Sequence, residues 1–507
     1  MRLNYRFYLV LLCLTYFTML YIFHGNLQVE VNSKCRANNC LQSHEASSTD
    51  PKLADDVSGN LEISNVELRN IKAMHIPSVA LLSFKTLTPV QVNLANLVHT
   101  TGKLVPASSP KECYVSSNYS IRGFRSLEPD SFVYSAYFDE RYSKRFVRIM
   151  AILSLIKQKR KLNVYCHFNV SDKRVTREAT FYELCENHGK TYGGFVLSCE
   201  VPTEITNLCS ITVSMEIKPT SSQYSVPQTT PQTLQVSRLS LDPPKGNKQF
   251  NFTICVPPLF GNIATEKFVE FIELNRILGF QHFIIYTARI ESQDILKVLD
   301  YYRLRNVITT IDFTLPSVIQ KSKIWYNGQL SAHNDCLYRA MPITNFVAFM
   351  DIDEFIVSHN GQFRVTDTAS KQFDASDKIC GISFDSAFYD SKYTKNVVEE
   401  GNYLVTQTTT GRSEKFSAVR TKVFVSPDKI FEVGIHHISK PAQEGFKVVK
   451  VNTTQAYLHH YRSCVPNYGM KCNAYKEDLT MLQYRKHLEA AVEDIFEQVF
   501  DKDHELK

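Results

Sequence analysis

Apolar and polar positions change their pattern three times along this chain. Short alternating or apolar runs come first: SFVYSAYF (131–138), LNVYCHFNV (162–170), GFVLSCEV (194–201) and SITVSMEI (210–217). Alternation with period two turns one face inward, so these runs predict strands of a β-rich unit over 111–218, interrupted by one helix over 145–157. Residues 219–249 lose the periodicity and hold five prolines among Ser, Thr and Gln. They predict a linker or a long exposed loop.

From 250 onward strand-like and helix-like stretches alternate. NFTICVPPLF (251–260) leads to a helix from Thr265, the expected N-cap, with Phe268, Phe271, Ile272 and Leu278 on one face and Gly279 as its stop. HFIIYT (282–287) is the next strand; Ser292 caps a helix with Ile295, Leu299 and Tyr302 at helical spacing, and VITTI (307–311) follows. A helix over 328–341 then leads into NFVAFM (345–350). Strands joined by helices in this order predict an α/β unit with a mostly parallel sheet, over 250–507. Residues 477–500 end the chain with Leu488, Val492, Ile495, Phe496 and Val499 at helical spacing, a helix expected to pack on this unit or to form a homodimer contact.

The N-terminus sets the compartment. Residues 7–23 form a run of seventeen without a charge, preceded by Arg2 and Arg6. As a helix the run is about 26 Å long, enough for a thin bilayer of the early secretory pathway. It is longer than a signal-peptide core and lacks a small-x-small cleavage site, so it reads as an uncleaved type II anchor, with residues 1–6 cytoplasmic and the rest lumenal. Residues 24–110, rich in Ser, Asn, Thr and Leu, read as a stem.

Composition adds two points. The chain has 507 residues, 57 Lys and Arg against 51 Asp and Glu, and no basic run dense enough to track a phosphate backbone, which sets nucleic acid aside. Of thirteen cysteines, Cys13 lies in the apolar run and twelve follow it, an even number that suits disulfides in an oxidising compartment. Seven precede the Pro-rich stretch and five follow it, so pairing of all twelve would force at least one disulfide between the two parts. Sequons at Asn118, Asn169, Asn251 and Asn452 agree with a lumenal chain.

In parallel sheets ligands bind beyond the carboxyl ends of the strands. Immediately after NFVAFM stand Asp351, Ile352, Asp353 and Glu354. In an extended segment Asp351 and Asp353 point the same way and can share one hard cation, while Ile352 returns to the core. A divalent ion held by two carboxylates and a diphosphate neutralises a nucleotide-sugar leaving group. A bare Asp-x-Asp is common, and the same residues can be a solvated strand cap; position after a buried strand is what favours chemistry.

The motifs CVPPLFG (255–261), FVEFIELNRILGFQHFIIY (268–286), DILKVLDYY (294–302), QLSAHNDCLYRA (329–340), FMDIDEFIV (349–357), VGIHH (433–437) and LHHYR (458–462), with SAYFDERY (135–142) before them, resemble glycosyltransferase family 92 in order. The resemblance implies a GT-A type nucleotide-sugar-binding fold, a UDP-galactose donor, Mn2+, inversion at the anomeric carbon, a glycan acceptor and a Golgi membrane location. It implies that Asp351 and Asp353 hold metal and diphosphate, and that Cys255, Pro257 and Pro258 line the nucleotide pocket. A histidine from a late strand often completes such metal sites. Alternation lets one of each adjacent pair face a site, and the motif match favours His436 and His460. Arg462 is placed to pair with the diphosphate, although a surface ion pair explains it equally well.

Inverting transfer needs a base near the acceptor hydroxyl. Asp385, which follows an apolar strand-like run, is the first candidate, with Glu414 second and Asp390 behind them. Trp325, the single tryptophan, suits either a sugar platform or the core. The resemblance thus implies a metal-dependent inverting hexosyltransferase whose partners are a nucleotide-sugar donor and a glycan on a glycoprotein or glycolipid, with the fucose of an N-glycan core as the acceptor it carries over, and the apolar run adds the membrane. The rival is a catalytically inactive carbohydrate-binding protein of the same fold. A nucleotidyltransferase is disfavoured by the lack of a Gly-rich phosphate loop.

Overall fold

A computed structural model describes residues 123–155, 162–170, 173–217, 230–239, 248–394, 403–464, 466 and 472–500. The expected anchor (7–23) and stem (24–110) lie outside the described residues. Among those described, no helix is long and apolar enough to cross a membrane.

The first part is all β: β1 (Arg125–Glu128), β2 (Ser131–Asp139), β3 (Phe146–Ser154), β4 (Leu162–Val170), β5 (Lys173–Glu178), β6 (Thr180–Glu183), β7 (Tyr192–Glu200), β8 (Ser210–Ile217) and β9 (Gln232–Arg238). They form one sheet in the order β5-β4-β8-β9-β2-β3-β7-β6, with β1 on β2. The expected helix over 145–157 is instead β3, paired antiparallel with β2 and β7. Val147, Ile149, Ala151 and Leu153 enter one core and Met150 and Ile152 another. With both faces covered, the strand lost the polar alternation that marks a half-exposed one, and a continuous apolar run reads equally as helix. Residues 232–238, inside the stretch expected as linker, also pair as a strand, with Leu234 and Val236 turned inward.

The second part runs β10 (Phe250–Gly261), α1 (Thr265–Ile277), β11 (His282–Ile290), α2 (Gln293–Leu304), β12 (Ile308–Asp312), α3 (Gln329–Ala340), β13 (Thr344–Phe349), β14 (Glu354–Ser358), α4 (Val365–Asp374), β15 (Ile379–Phe388), α5 (Val405–Thr408), β16 (Gly411–Ser413), β17 (Ser417–Val425), β18 (Ile430–Val433), β19 (Ile438–Pro441), β20 (Lys447–Lys450), β21 (Ala456–His460), β22 (Tyr475–Glu477) and α6 (Arg485–Phe500). Thr265 is the first helical residue rather than the cap, which is Ala264. Ser292 caps α2 as its sequence predicts, accepting from Ile295 N at 3.4 Å. Gly279, at φ 109°, ends α1 where a side chain would be strained.

Strand order is β12-β11-β10-β13-β17-β15-β21-β14. The first four strands are parallel; β17 is antiparallel to β13 and β15, and β14 to β21, so the sheet is mixed. Helices α1, α2, α4 and α6 contribute to the core on one face. On the other face, α3 shares a core with Tyr134, Tyr137, Met150 and Ile152 of the β-rich part.

Asp335 on α3 ties the two parts. It accepts from Ser135 Oγ, from Tyr137 OH at 2.6 Å and from Tyr286 OH at 2.5 Å, and pairs with Arg339 at 3.0 Å. Arg141 adds a bond to Ile430 O at 2.7 Å. The described disulfides, Cys166–Cys199, Cys255–Cys336 and Cys464–Cys472, each close within one part, and Cys185 and Cys380 are free thiols. The condition that all twelve cysteines after the apolar run pair therefore fails, and buried polar contacts join the two parts without it.

Replacing Asp335 by Ala leaves a buried guanidinium and several hydroxyls without an acceptor. Denaturant unfolding of the full chain should show a loss of about 3–5 kcal/mol, against about 1 kcal/mol for Tyr137→Phe. Equal small losses would mean the network does not hold the seam.

Candidate active site

β13 runs out where β10 still continues: Met350 N donates to Cys255 O at 3.2 Å, and the chain then turns. Residues 351–354 form a tight turn, not the extended segment expected, with Glu354 N donating to Asp351 O at 3.1 Å. The Glu354 side chain closes it by accepting from Asp351 N at 2.9 Å. Tyr461 N donates to Asp353 O at 2.9 Å, fastening the turn to the end of β21. Ile352 does return to the core.

Two of the turn's three carboxylates share one cation. Lys422 of β17 is fully buried, with its Nζ 2.9 Å from Asp351 Oδ2 and 3.0 Å from Glu354 Oε2. The other oxygen of Asp351 accepts from Gln329 Nε2, at the start of α3, at 3.2 Å. The positive end of that helix dipole thus lies beside a carboxylate. Asp353 is the open member, its side chain 42% exposed and 3.5 Å from His460 Nε2. His460 Nδ1 lies 3.6 Å from Glu354 Oε1.

Protonation follows from this packing. Burial pushes the Asp351 carboxyl up, but contact with the Lys422 ammonium outweighs it and holds the group well below the usual carboxylate range. The same contacts raise Lys422 against its own burial. Glu354 is pushed up to about 7, first by burial and then by Asp351, because one ammonium cannot fully compensate two carboxylates. Burial and the Lys422 charge push His436 down to about 3, so its ring is neutral near pH 7. Its Nδ1–H donates to Thr421 O at 3.1 Å, which leaves the Nε2 lone pair free. His333 of α3, deep behind the turn, is likewise pushed down to about 3 by burial.

Asp351, Asp353 and His460 therefore meet at one turn, and His436 lies near enough to feel the Lys422 and Asp351 charges. In each adjacent histidine pair the other ring turns away: His459 Nε2 lies 2.9 Å from His359 Nε2 and 3.1 Å from Tyr389 OH, while His437 faces Glu186. Pro257 and Pro258 are buried in β10 at an irregularity of its pairing with β11, the position at which a central strand tolerates proline. Cys255 is buried in its disulfide with Cys336.

Arg462 follows β21, half-buried, one residue past Tyr461. Asp385 sits on β15 and pairs with Lys450 at 2.9 Å; three residues on, Phe388 lies beside His460. Glu414 is exposed in the turn between β16 and β17, and Asp390 caps a short helical turn. Trp325 is half-buried at the seam, 4.2 Å from the His188 ring.

Sequence reasoning missed Lys422, Glu354 and Gln329. Lys422 had a signal, a lone cation in the apolar strand KVFV, which demands a carboxylate partner. Two carboxylates share one ammonium and a third is open beside His460, oxygen donors of the kind a divalent cation takes.

Residues 250–498 match the family described as Glycosyltransferase family 92. The chain is 31% identical to the β-1,4-galactosyltransferase galt-1 of Caenorhabditis elegans, over 67% of this chain and 76% of that one. It is 23% identical to the galactan β-1,4-galactosyltransferase GALS2 of Arabidopsis thaliana, over 41% of this chain and 43% of that one. Among solved structures it is similar to S. aureus TarS, with TM-score 0.24, 14% identity and 43% and 37% of the two chains covered. A structure of GalNAc-T7 with UDP, GalNAc and Mn2+ gives TM-score 0.23 at 6% identity, covering 46% and 47%. Scores this low support nothing further.

Glu354 makes stability pH-dependent. Its folded value, about 7, lies above the ordinary 4.5, so between these values the folded chain holds a proton that the unfolded chain has lost. The contribution is full below about pH 4.5 and is lost as pH rises through about 7. Unfolding followed across that window should show Glu354→Gln flattening the decline; an unchanged profile would place the titration elsewhere.

Proposed function

Because this chain belongs to glycosyltransferase family 92, we propose that it moves galactose from UDP-galactose to a glycan acceptor, in β linkage and with inversion, at the turn from Asp351 to Glu354. The observation that carries this reading is the excess of carboxylate over cation beyond the carboxyl ends of the parallel strands, with Asp353 left open. The names of the relatives support galactose as the sugar. A fucose on an N-glycan core is the first acceptor to try. The apolar run at 7–23, the sequons and the disulfides support a type II protein of the Golgi membrane with a lumenal active site.

In this reading Asp351 and Asp353 hold Mn2+, with the neutral ring of His436 as the nitrogen donor. The ion, when bound, serves as a Lewis acid for the departing diphosphate. Lys422 and Gln329 fix Asp351 so that the carboxylate does not have to reorganise as charge develops. His460 orients Asp353. Arg462 offers a guanidinium fork to the diphosphate, and Pro257 and Pro258 shape the nucleotide side of the site. Asp385 is the proposed base toward the acceptor hydroxyl, with Glu414 second.

The test incubates the full chain with UDP-sugars and fucosylated glycans, with and without Mn2+. Transfer from UDP-galactose is expected, and Asp353→Asn should lower it by about two orders of magnitude or more with the fold intact. Transfer that ignores both the metal and Asp353 would refute this site. Asp385→Asn should lower kcat with KM for donor unchanged, whereas full activity would pass the role to Glu414.

A further inference from the structure

A second constellation of ligating side chains lies outside the acidic turn, where the β-rich part meets the hairpin of β18 and β19. The loop between β6 and β7 brings Cys185 and Glu186 against His437 and Ser439. Glu186 Oε1 is 3.2 Å from His437 Nδ1, and Cys185 Sγ is 3.8 Å from His437 Nε2. One donor atom each from Cys185, Glu186 and His437 falls within 4.8 Å of the others.

The surroundings hold these groups in place. Glu186 Oε1 accepts from Ile435 N at 3.1 Å, and Glu432 accepts from Cys185 N at 2.8 Å and from Tyr182 OH at 2.7 Å. With Nδ1, the nitrogen beside Glu186, on the ion, Nε2 keeps a polar partner in Ser439 Oγ at 3.2 Å. His437 is 43% exposed, which leaves a way in from solvent.

Donor chemistry selects the ion. Zinc bonds of about 2.0 Å to nitrogen and oxygen and about 2.3 Å to sulfur put tetrahedral ligands roughly 3.3–3.6 Å apart. One donor atom from each of the three residues already lies within 4.8 Å of the others, so small side-chain rotations would bring them to that spacing. A thiolate with an imidazole and a carboxylate suits borderline-soft zinc, whereas manganese and calcium favour oxygen. Cys185 is also a free thiol in a chain whose other described cysteines are, Cys380 apart, in disulfides.

We propose that Cys185, Glu186 and His437 form a zinc site, distinct from the acidic turn, which clamps the β6–β7 loop to the hairpin that carries His436. Binding releases the thiol proton of Cys185 to solvent and leaves a fourth position for water. Because His436 is the adjacent residue, the clamp fixes the backbone that carries that ring.

The test equilibrates the purified full chain with Zn2+, removes free metal by gel filtration and measures bound zinc by mass spectrometry. One zinc per chain is expected, lost in Cys185→Ser and in His437→Ala, and retained in Asp353→Asn. Alkylation of Cys185 in the wild-type chain, read by peptide mapping, should be slow with zinc and fast after chelation, which tests the site even if a variant fails to fold. A chain that binds no zinc, zinc retained in a folded Cys185→Ser, zinc lost with Asp353→Asn alone, or alkylation indifferent to chelator would each overturn the proposal.

Discussion

Lys422 carries a full charge into a place without water, and the site takes its form from that. A buried ammonium is tolerated only when carboxylates compensate it. Asp351 and Glu354 do so from the two ends of one turn, with Nζ 2.9 and 3.0 Å from their oxygens. Removing the lysine would leave two buried or half-buried carboxylates facing each other. With it in place, the turn is rigid, Asp351 stays ionised, and the uncompensated negative charge is displaced outward to Asp353. Asp353 is thereby the carboxylate of the turn that faces solvent.

Helix α3 connects this electrostatic centre to the rest of the molecule. Its first residue, Gln329, holds Asp351, while two turns later Asp335 binds Tyr137 and Tyr286 from different sheets. Asn334 exchanges two hydrogen bonds with the backbone of Val433, at 2.8 and 3.0 Å, fixing the hairpin that leads to His436. The β-rich part is thus built into the support of the site rather than appended to it. A change at the seam has a direct mechanical path to the acidic turn.

What the sequence made legible, and what it hid, divides by the range of the interaction. Strands β10 to β13 and helices α1 to α3 were readable because their periodicity and turn residues are local: Ser292 caps, Gly279 stops, and NFVAFM is a buried strand. The choice of Asp353 and His460, which stand 3.5 Å apart, rested on ordered motifs. Strand β3 and Lys422 are where local reading failed. A strand covered on both faces loses its alternation, and the partner of Asp351 stands 71 residues away on an antiparallel strand. The turn at 351–354 escaped because its cause, the Glu354 side chain reaching back to Asp351 N, is a side-chain contact and not a backbone preference. Cysteine parity also misled, since Cys185 and Cys380 remain thiols.

The central claim is that the acidic turn is a metal-dependent nucleotide site whose open ligand is Asp353. Calorimetric titration of the full chain with uridine diphosphate tests it most directly, with and without Mn2+, in the wild type and in Asp353→Asn. The account predicts binding that requires Mn2+ in the wild type and is lost in the folded variant. Equal binding by both chains, or binding indifferent to the metal, would contradict it.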